Sequence, residues 1–173
     1  MSLRFPILVF DIETLTDLKA GAHLYHLDLP EADVDQALTK IRRQESGMDF
    51  QRLPLHEIVC ISGLWIDEKG FRLFSFSQEQ NTEAELLSKF LSIFDKKQPT
   101  LISWNGSQFD LPVILFRAMY HGLSAPSLFD QGEIDQQKRF NNYQNRYHHR
   151  HVDLMDVMAM FNGRHFQKLD DIA

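Results

Sequence analysis

Apolar residues in this chain gather into short runs, some continuous and some spaced by three and four. Residues 5–10, Phe-Pro-Ile-Leu-Val-Phe, form a nearly unbroken apolar run. It is far too short to cross a membrane and has the composition of a buried strand, so a strand is expected over residues 4–10. Residues 57–66, Glu-Ile-Val-Cys-Ile-Ser-Gly-Leu-Trp-Ile, are the most strand-like stretch, and residues 71–77 resume the pattern after the turn residues Asp67-Glu68-Lys69-Gly70. This spacing predicts an antiparallel hairpin lying beside the first strand. Thr82-Glu83-Ala84-Glu85 has the capping-box form, and Leu86, Leu87, Phe90, Leu91 and Phe94 follow at helical spacing. Pro99 then leads into a short apolar strand over residues 100–104. Strand, helix, strand in that order implies a parallel pairing through a right-handed crossover. Asn105-Gly106 is a turn pair, Pro112 suits a first helical turn, and residues 113–121 continue as a helix that Gly122 can end.

Residues 15–50 read differently. Asp28-Leu29-Pro30-Glu31-Ala32-Asp33 is a helix-entry signal, and Val34, Ala37, Leu38 and Ile41 give only a narrow apolar stripe before Gly47. The segment over residues 19–50 is therefore read as a mostly polar helical insertion, a plain surface helix first and a lid as the alternative. The expected fold class is α/β: a central mixed sheet, with three adjacent strands including the antiparallel hairpin plus parallel strands, flanked by helices. With 173 residues the chain suffices for one domain, 1–173.

Composition narrows the setting. Hydrophobic residues at 43% and charged residues at 24% are ordinary for a globular protein. The single cysteine, Cys60, excludes a disulfide framework and fits a reducing, cytoplasmic compartment. No signal peptide precedes the first strand and no stretch reaches membrane length. A net charge of −6 argues against broad electrostatic capture of duplex nucleic acid, but not against a nuclease whose carboxylates hold cations.

Two stretches carry chemistry. Asp11 and Glu13 lie two residues apart at the end of the first strand, so their side chains leave the same face with Cα atoms roughly 6.5 Å apart. Two ionised carboxylates that close repel each other unless a cation lies between them, and hard divalent ions such as Mg²⁺ or Mn²⁺ suit the pair. Asp-x-Glu alone also marks many solvated strand ends. Asp110 stands at a helix N-terminus, where an aspartate commonly does no more than cap the helix. In a sheet with helices packed on it, however, the C-terminal ends of neighbouring parallel strands converge, and Asp11, Glu13 and Asp110 can meet there.

Phe10-Asp11-Ile12-Glu13-Thr14 resembles the first motif of the DEDD superfamily of 3′→5′ exonucleases. Asn105-x-x-x-Phe109-Asp110-x-Pro112 resembles the second motif as carried by proofreading domains of B-family DNA polymerases, and of predicted stand-alone exonucleases related to them. His151-Val152-Asp153-Leu154-Met155 is similar to the segment before the last motif, and residues 167–173 to the start of the helix that follows. The resemblance implies a ribonuclease-H-like fold and two-metal phosphodiester hydrolysis with Mg²⁺ or Mn²⁺. It would make Asp11, Glu13 and Asp110 the catalytic metal ligands: Asp11 bridging both ions, Glu13 on the ion of the attacking water, and Asp110 on the second. Thr14, Asn105 and Phe109 would contact substrate.

The last motif of the family, Tyr-x-x-x-Asp or His-x-x-x-x-Asp, is not found where family order would place it. His151-x-x-x-x-Asp156 and His165-x-x-x-x-Asp170 fit the spacing only formally, so the fourth carboxylate is expected to be missing from this chain. Residues 138–151 interleave basic and aromatic side chains, a pattern that suits single strands, with Arg146 and Arg150 as candidate substrate contacts. The histidines there lack a cysteine or spaced carboxylate to complete a zinc set. The expected function is metal-dependent 3′→5′ exonuclease action on single-stranded DNA or DNA 3′ ends, in repair or proofreading, with RNA a possible substrate. The rivals are a catalytically incomplete binding module of the same fold and another metal-dependent phosphoesterase.

Overall fold

The computed structural model describes residues 4–172. Five strands form one mixed sheet: β1 (Ile7–Thr16), β2 (His56–Asp67), β3 (Gly70–Ser77), β4 (Thr100–Ser103) and β5 (His151–Asp153). Their order is β3-β2-β1-β4-β5. The hairpin β2–β3 and the pair β1–β2 are antiparallel, while β4 is parallel to both β1 and β5. This is the central mixed, helix-flanked α/β sheet that the sequence pattern predicts.

β1 is longer than residues 4–10. Its antiparallel partner β2 runs beside it from Ile7↔Ile66 to Thr16↔His56, and that pairing carries the strand past its acidic positions. Asp11 and Glu13 therefore lie inside the strand. Alternation then sorts the side chains: Leu8, Phe10 and Ile12 are buried, and Asp11 and Glu13 are exposed on the opposite face. A bulge between Glu13 and Thr14 leaves Val59 of β2 without a partner in β1.

α3 (Glu83–Lys97) covers the apolar face. Thr82 and Glu85 close a reciprocal capping box at its start. Phe90 meets Phe10 at a ring-centroid distance of 5.4 Å and Phe94 at 5.1 Å. Beside α3 packs α4 (Asp110–Tyr120), burying Leu111, Val113, Ile114 and Ala118. The insertion forms α1 (Leu18–Leu24) and α2 (Glu31–Ser46), and α2 buries Val34 and Leu38 and ends at Gly47 with φ 73°. Gly21 of α1 lets Leu38 approach so closely that a Cβ there would lie 2.4 Å from Leu38 Cδ1. Two shorter helices follow, α5 (Pro126–Phe129) and α6 (Leu154–Met158). Beyond them lie single 3₁₀ turns at Gly163–His165 and, where the resemblance places the start of a helix, at Leu169–Asp171. Among the described residues no helix is long and apolar enough to cross a membrane.

Candidate carboxylate site at the end of the sheet

β4 stops at Ser103, and its pairing with β1 ends at Val9↔Ile102. Beyond Val9 the side of β1 that faces β4 has no strand beside it. Asp110 fills that place: its Oδ1 accepts the amide of Ile12 at 3.1 Å, across 98 residues of sequence. The cap position of α4 is Phe109, which makes no side-chain cap bond, so Asp110 is the first helical residue and spends its side chain on β1. It is buried, and the neighbouring Asp11 carboxylate shares its environment. Burial first, and the charge of Asp11 second, push Asp110 up to about 7, while its own amide and that of Ile12 pull the other way. Asp11 and Asp110 thus form a close carboxylate pair that resists double ionisation in the absence of a cation.

Glu13 lies on the same face of β1 as Asp11, two residues on, and is exposed. Among the described residues, no group of three or more His, Cys, Asp or Glu side chains is arranged to hold a metal ion. The donor set fits a hard divalent cation in chemistry, since it is carboxylate oxygen alone. In geometry it is a pair, with Glu13 standing apart.

The loop that delivers Asp110 is clamped from β5. Asp153 Oδ1 accepts the amides of Asn105 at 2.9 Å and Met155 at 3.1 Å. Its Oδ2 accepts the amide of Ser107 at 3.0 Å and the hydroxyl of Ser107 at 2.5 Å. Asn105 sits at φ 61°, in the left-handed region that asparagine tolerates better than most residues. Gly106 is obligatory for a steric reason: a Cβ would lie 2.3 Å from Ser103 Oγ and 2.6 Å from Ser103 Cβ. Ser103 Oγ in turn lies 2.7 Å from Nε2 of His151, a buried ring whose pKa burial pushes down to about 4, so it is neutral near pH 7.

On the other side of Asp110 lies an aromatic cluster. His56 Nδ1 and Thr14 Oγ1 are hydrogen bonded at 3.0 Å. The His56 ring meets Phe109 edge-on at 5.2 Å and Phe50 at 4.7 Å, and Phe50 meets Phe109 at 5.5 Å. His56 is buried, which lowers its pKa, and Phe50 is 53% exposed.

The basic segment has internal partners. Arg146 forks onto Asp156, with Nη2–Oδ1 at 2.5 Å and Nε–Oδ2 at 3.1 Å. Arg150 donates to the Gln98 carbonyl at 2.7 Å, and its guanidinium lies over the Tyr143 ring. Lys138 is 1% exposed, donating to the Ser127 carbonyl at 2.9 Å with Asp130 at 3.6 Å. The two His-x-x-x-x-Asp spacings contribute nothing to the carboxylate pair: Asp156 is taken by Arg146, and Asp170 is exposed in a 3₁₀ turn.

The sequence pattern did not mark Phe50 or His56, and placed Asp153 only in the segment before the last motif. The signal for Asp153 was its place before α6, where it caps Met155. Nothing in the pattern of residues 50–56 marks them as neighbours of Phe109.

A protein-family model described as a predicted 3′-5′ exonuclease related to the exonuclease domain of PolB matches residues 48–173, well over half of the chain. A DNA polymerase of Pyrococcus glycovorans is 27% identical over 143 residues, covering 78% of this chain and 14% of that protein. DNA polymerase 1 of Saccharolobus solfataricus is 36% identical over 69 residues, 39% of this chain and 8% of that one. The chain thus spans a small part of the length of these polymerases. The family B DNA polymerase of Pyrobaculum calidifontis superposes with a TM-score of 0.48 at 16% identity, over 93% of this chain and 16% of that one. An apo exonuclease I does so at 0.46 and 13% identity, over 89% and 30%. With its family model spanning both the Asn105–Asp110 loop and the Asp153 clamp, the chain belongs to the predicted 3′-5′ exonucleases related to the exonuclease domain of PolB.

Proposed function

We propose that this chain is a divalent-metal-dependent 3′→5′ exonuclease that removes nucleotides from the 3′ end of single-stranded DNA. The observation that carries the reading is the Asp11–Asp110 pair, held at the end of the sheet by an amide of the same strand that bears Asp11 and Glu13. A divalent cation between the two carboxylates would relieve their conflict, and the pair supplies the oxygen donors it takes.

Asp11 and Asp110 would hold the first Mg²⁺ or Mn²⁺ ion, with Glu13 the next carboxylate along the same face. Such ions, when bound, supply Lewis-acid stabilisation of an in-line displacement at phosphorus, in the two-ion form that the family resemblance suggests. The clamp from Asp153 fixes where Asp110 stands, and Asn105 and Ser107 line the loop that leads to it. Thr14 and Phe109 flank the carboxylates in sequence and support a role next to the substrate.

The test is release of 3′-terminal nucleotides from 5′-labelled single-stranded DNA with Mn²⁺ or Mg²⁺, against EDTA and against Asp11→Ala and Asp110→Ala. Cation-dependent release lost in both variants supports the reading. A second reading, a binding module of the same fold, is favoured by the absence of a third converging ligand among the described residues. Oligonucleotide binding without release under any cation would establish it.

A further inference from the structure

We propose that the free edge of the sheet, β3, pairs with β3 of a second copy of this chain, joining two sheets into one across a two-fold axis. The inference goes beyond the nuclease reading and does not rest on it. β3 ends the strand order, and no described strand lies beyond it. The opposite edge, β5, is three residues long and buried throughout, which protects it. β3 has eight residues, no proline and a single charged side chain, Arg72. Phe71 is 74% exposed and Leu73 80%. The charge that could guard this edge is folded back, since Arg72 Nη2 reaches Asp67 Oδ2 of β2 at 2.7 Å. An open apolar edge of this kind is a template for another strand.

The backbone supplies the register. The two-residue turn Glu68-Lys69 makes Asp67 and Gly70 a hydrogen-bonded pair, so Gly70, Arg72, Phe74 and Phe76 turn their backbone groups to β2. Those of Phe71, Leu73 and Ser75 point outward, with no backbone partner among the described residues. Antiparallel pairing centred on Leu73 sets it against Leu73 of the second copy, and Phe71 against Ser75 of that copy. Each such pair exchanges two backbone bonds. In this register Arg72 faces Phe74 of the second copy, a cation beside a ring. A shift of two residues one way would set Arg72 against Arg72, like charges directly opposite. The shift the other way needs the Ser77 carbonyl, which already receives the Gln80 amide and Asn81 Nδ2.

Side chains complete the match. Leu73 is paired with Leu64, and Leu64 with Val9, so one apolar row crosses the sheet on the face that carries Asp11. The row is half-buried at Val9 and Leu64 and open at Leu73. Leu73 against its own copy covers that open end and carries the row from one sheet into the next, a self-complementary contact that favours a second copy over another strand. The contact buries on the order of 1,000 Å² in all, at the low end of specific interfaces, so the dimer is reversible rather than obligate. Both Asp11 side chains lie on one face of the joined sheet, about five strand spacings or roughly 24 Å apart across it.

The test is sedimentation velocity of the whole chain at physiological ionic strength, from about 1 to about 200 μM, where the mass should rise toward twice that of one chain. Leu73→Pro removes an outward amide that β2 does not use, so the fold survives, which circular dichroism checks. Self-association should weaken by at least about ten-fold. Leu73→Lys, a charge placed on the open edge, should have the same effect. With Cys60→Ser as background, Leu73→Cys should form a disulfide-linked dimer on oxidation, because directly opposed Cα atoms lie about 5.5 Å apart. Phe71→Cys, opposite Ser75, should not. A monomer at every concentration, a dimer undiminished by both Leu73→Pro and Leu73→Lys, or Phe71→Cys cross-linking as readily as Leu73→Cys would each overturn the proposal. No nucleic acid or cation enters these measurements, so the nuclease reading stands or falls separately.

Discussion

Oδ2 of Asp153 lies 2.5 Å from the hydroxyl of Ser107, while Oδ1 of the same carboxylate receives the amide of Asn105. One side chain on β5 thereby sets the path of the loop that ends in Asp110. Asp153→Asn would place an amide donor where at least one loop N–H or O–H now donates. We expect a loss of roughly 1–3 kcal/mol in stability, from an unsatisfied group in a half-buried place. Nucleotide release should fall by about 10²-fold through displacement of Asp110, mostly in kcat. Steady-state kinetics beside urea denaturation separates the two effects; a variant equally stable and equally active would remove the clamp from the mechanism.

The carboxylate pair predicts an exchange of stability for function. Asp110→Asn keeps an oxygen to accept the Ile12 amide and removes one charge of the pair. In EDTA at pH 8 the variant should be more stable than wild type, by about 2 kcal/mol. It should show no metal-dependent nuclease activity. Mn²⁺ should raise the melting temperature of the wild-type protein and leave that of the variant unmoved. Differential scanning fluorimetry with and without the cation reads both outcomes.

Arg117 is fully inside the protein, yet it faces two acids. Its Nη1 reaches Asp17 Oδ2 at 2.7 Å, and its Nε and Nη2 reach Glu83 at 2.8 and 2.5 Å. Burial alone would raise the Glu83 pKa, but Arg117, His121 and the Ile58 amide together hold it below its ordinary value. Arg117→Ala strands both carboxylates and should cost about 3–5 kcal/mol. Arg117→Lys, a point charge without the fork, should lose less because it can still serve one of the two acids. Denaturant midpoints of the two variants give the comparison.

His151 should contribute a loss of stability on mild acidification. Its folded pKa is pushed down to about 4 from an ordinary 6.5, so the unfolded chain takes up a proton first. The contribution is whole above pH 6.5 and is lost as pH falls toward 4, up to roughly 3 kcal/mol. Glu83, whose pKa is depressed below 4.5, loses its share only under more acid conditions. Between pH 4 and 6.5 Asp110, raised to about 7, works in the opposite sense and His56 in the same one, so the difference between the stability–pH curves of the wild-type protein and His151→Asn isolates the His151 contribution.

Local patterns were legible in the sequence, and long-range partnerships were not. The β2–β3 hairpin, the capping box at Thr82 and the helix after Asn105-Gly106 each rest on neighbours within a few residues, and all three are present. The end of β1 was misplaced because Asp11 and Glu13 break an apolar run, while the partner that overrides them, β2, lies about fifty residues away. The same reason hides the inward use of Lys138 and Arg146: a basic side chain reads as solvated until its buried acid is located. Asp11 and Asp110 were brought together by motif order and strand-end geometry. Phe50 carried no such marker, since its companions come from β2 and from the residue before α4.

Glu83 accepts from Ile58 of β2 and from Arg117 and His121 at α4 and its end, and Arg117 reaches on to Asp17 at the entrance of α1. Elements fastened to one buried charge cannot detach singly, because releasing any of them leaves that charge without its partners. Amide exchange in β2, α3 and α4 should then proceed through a single common opening. α2 packs on α1 and lies outside that shared opening. Its exposed turns can fray while the frame around Asp11 and Asp110 stays shut.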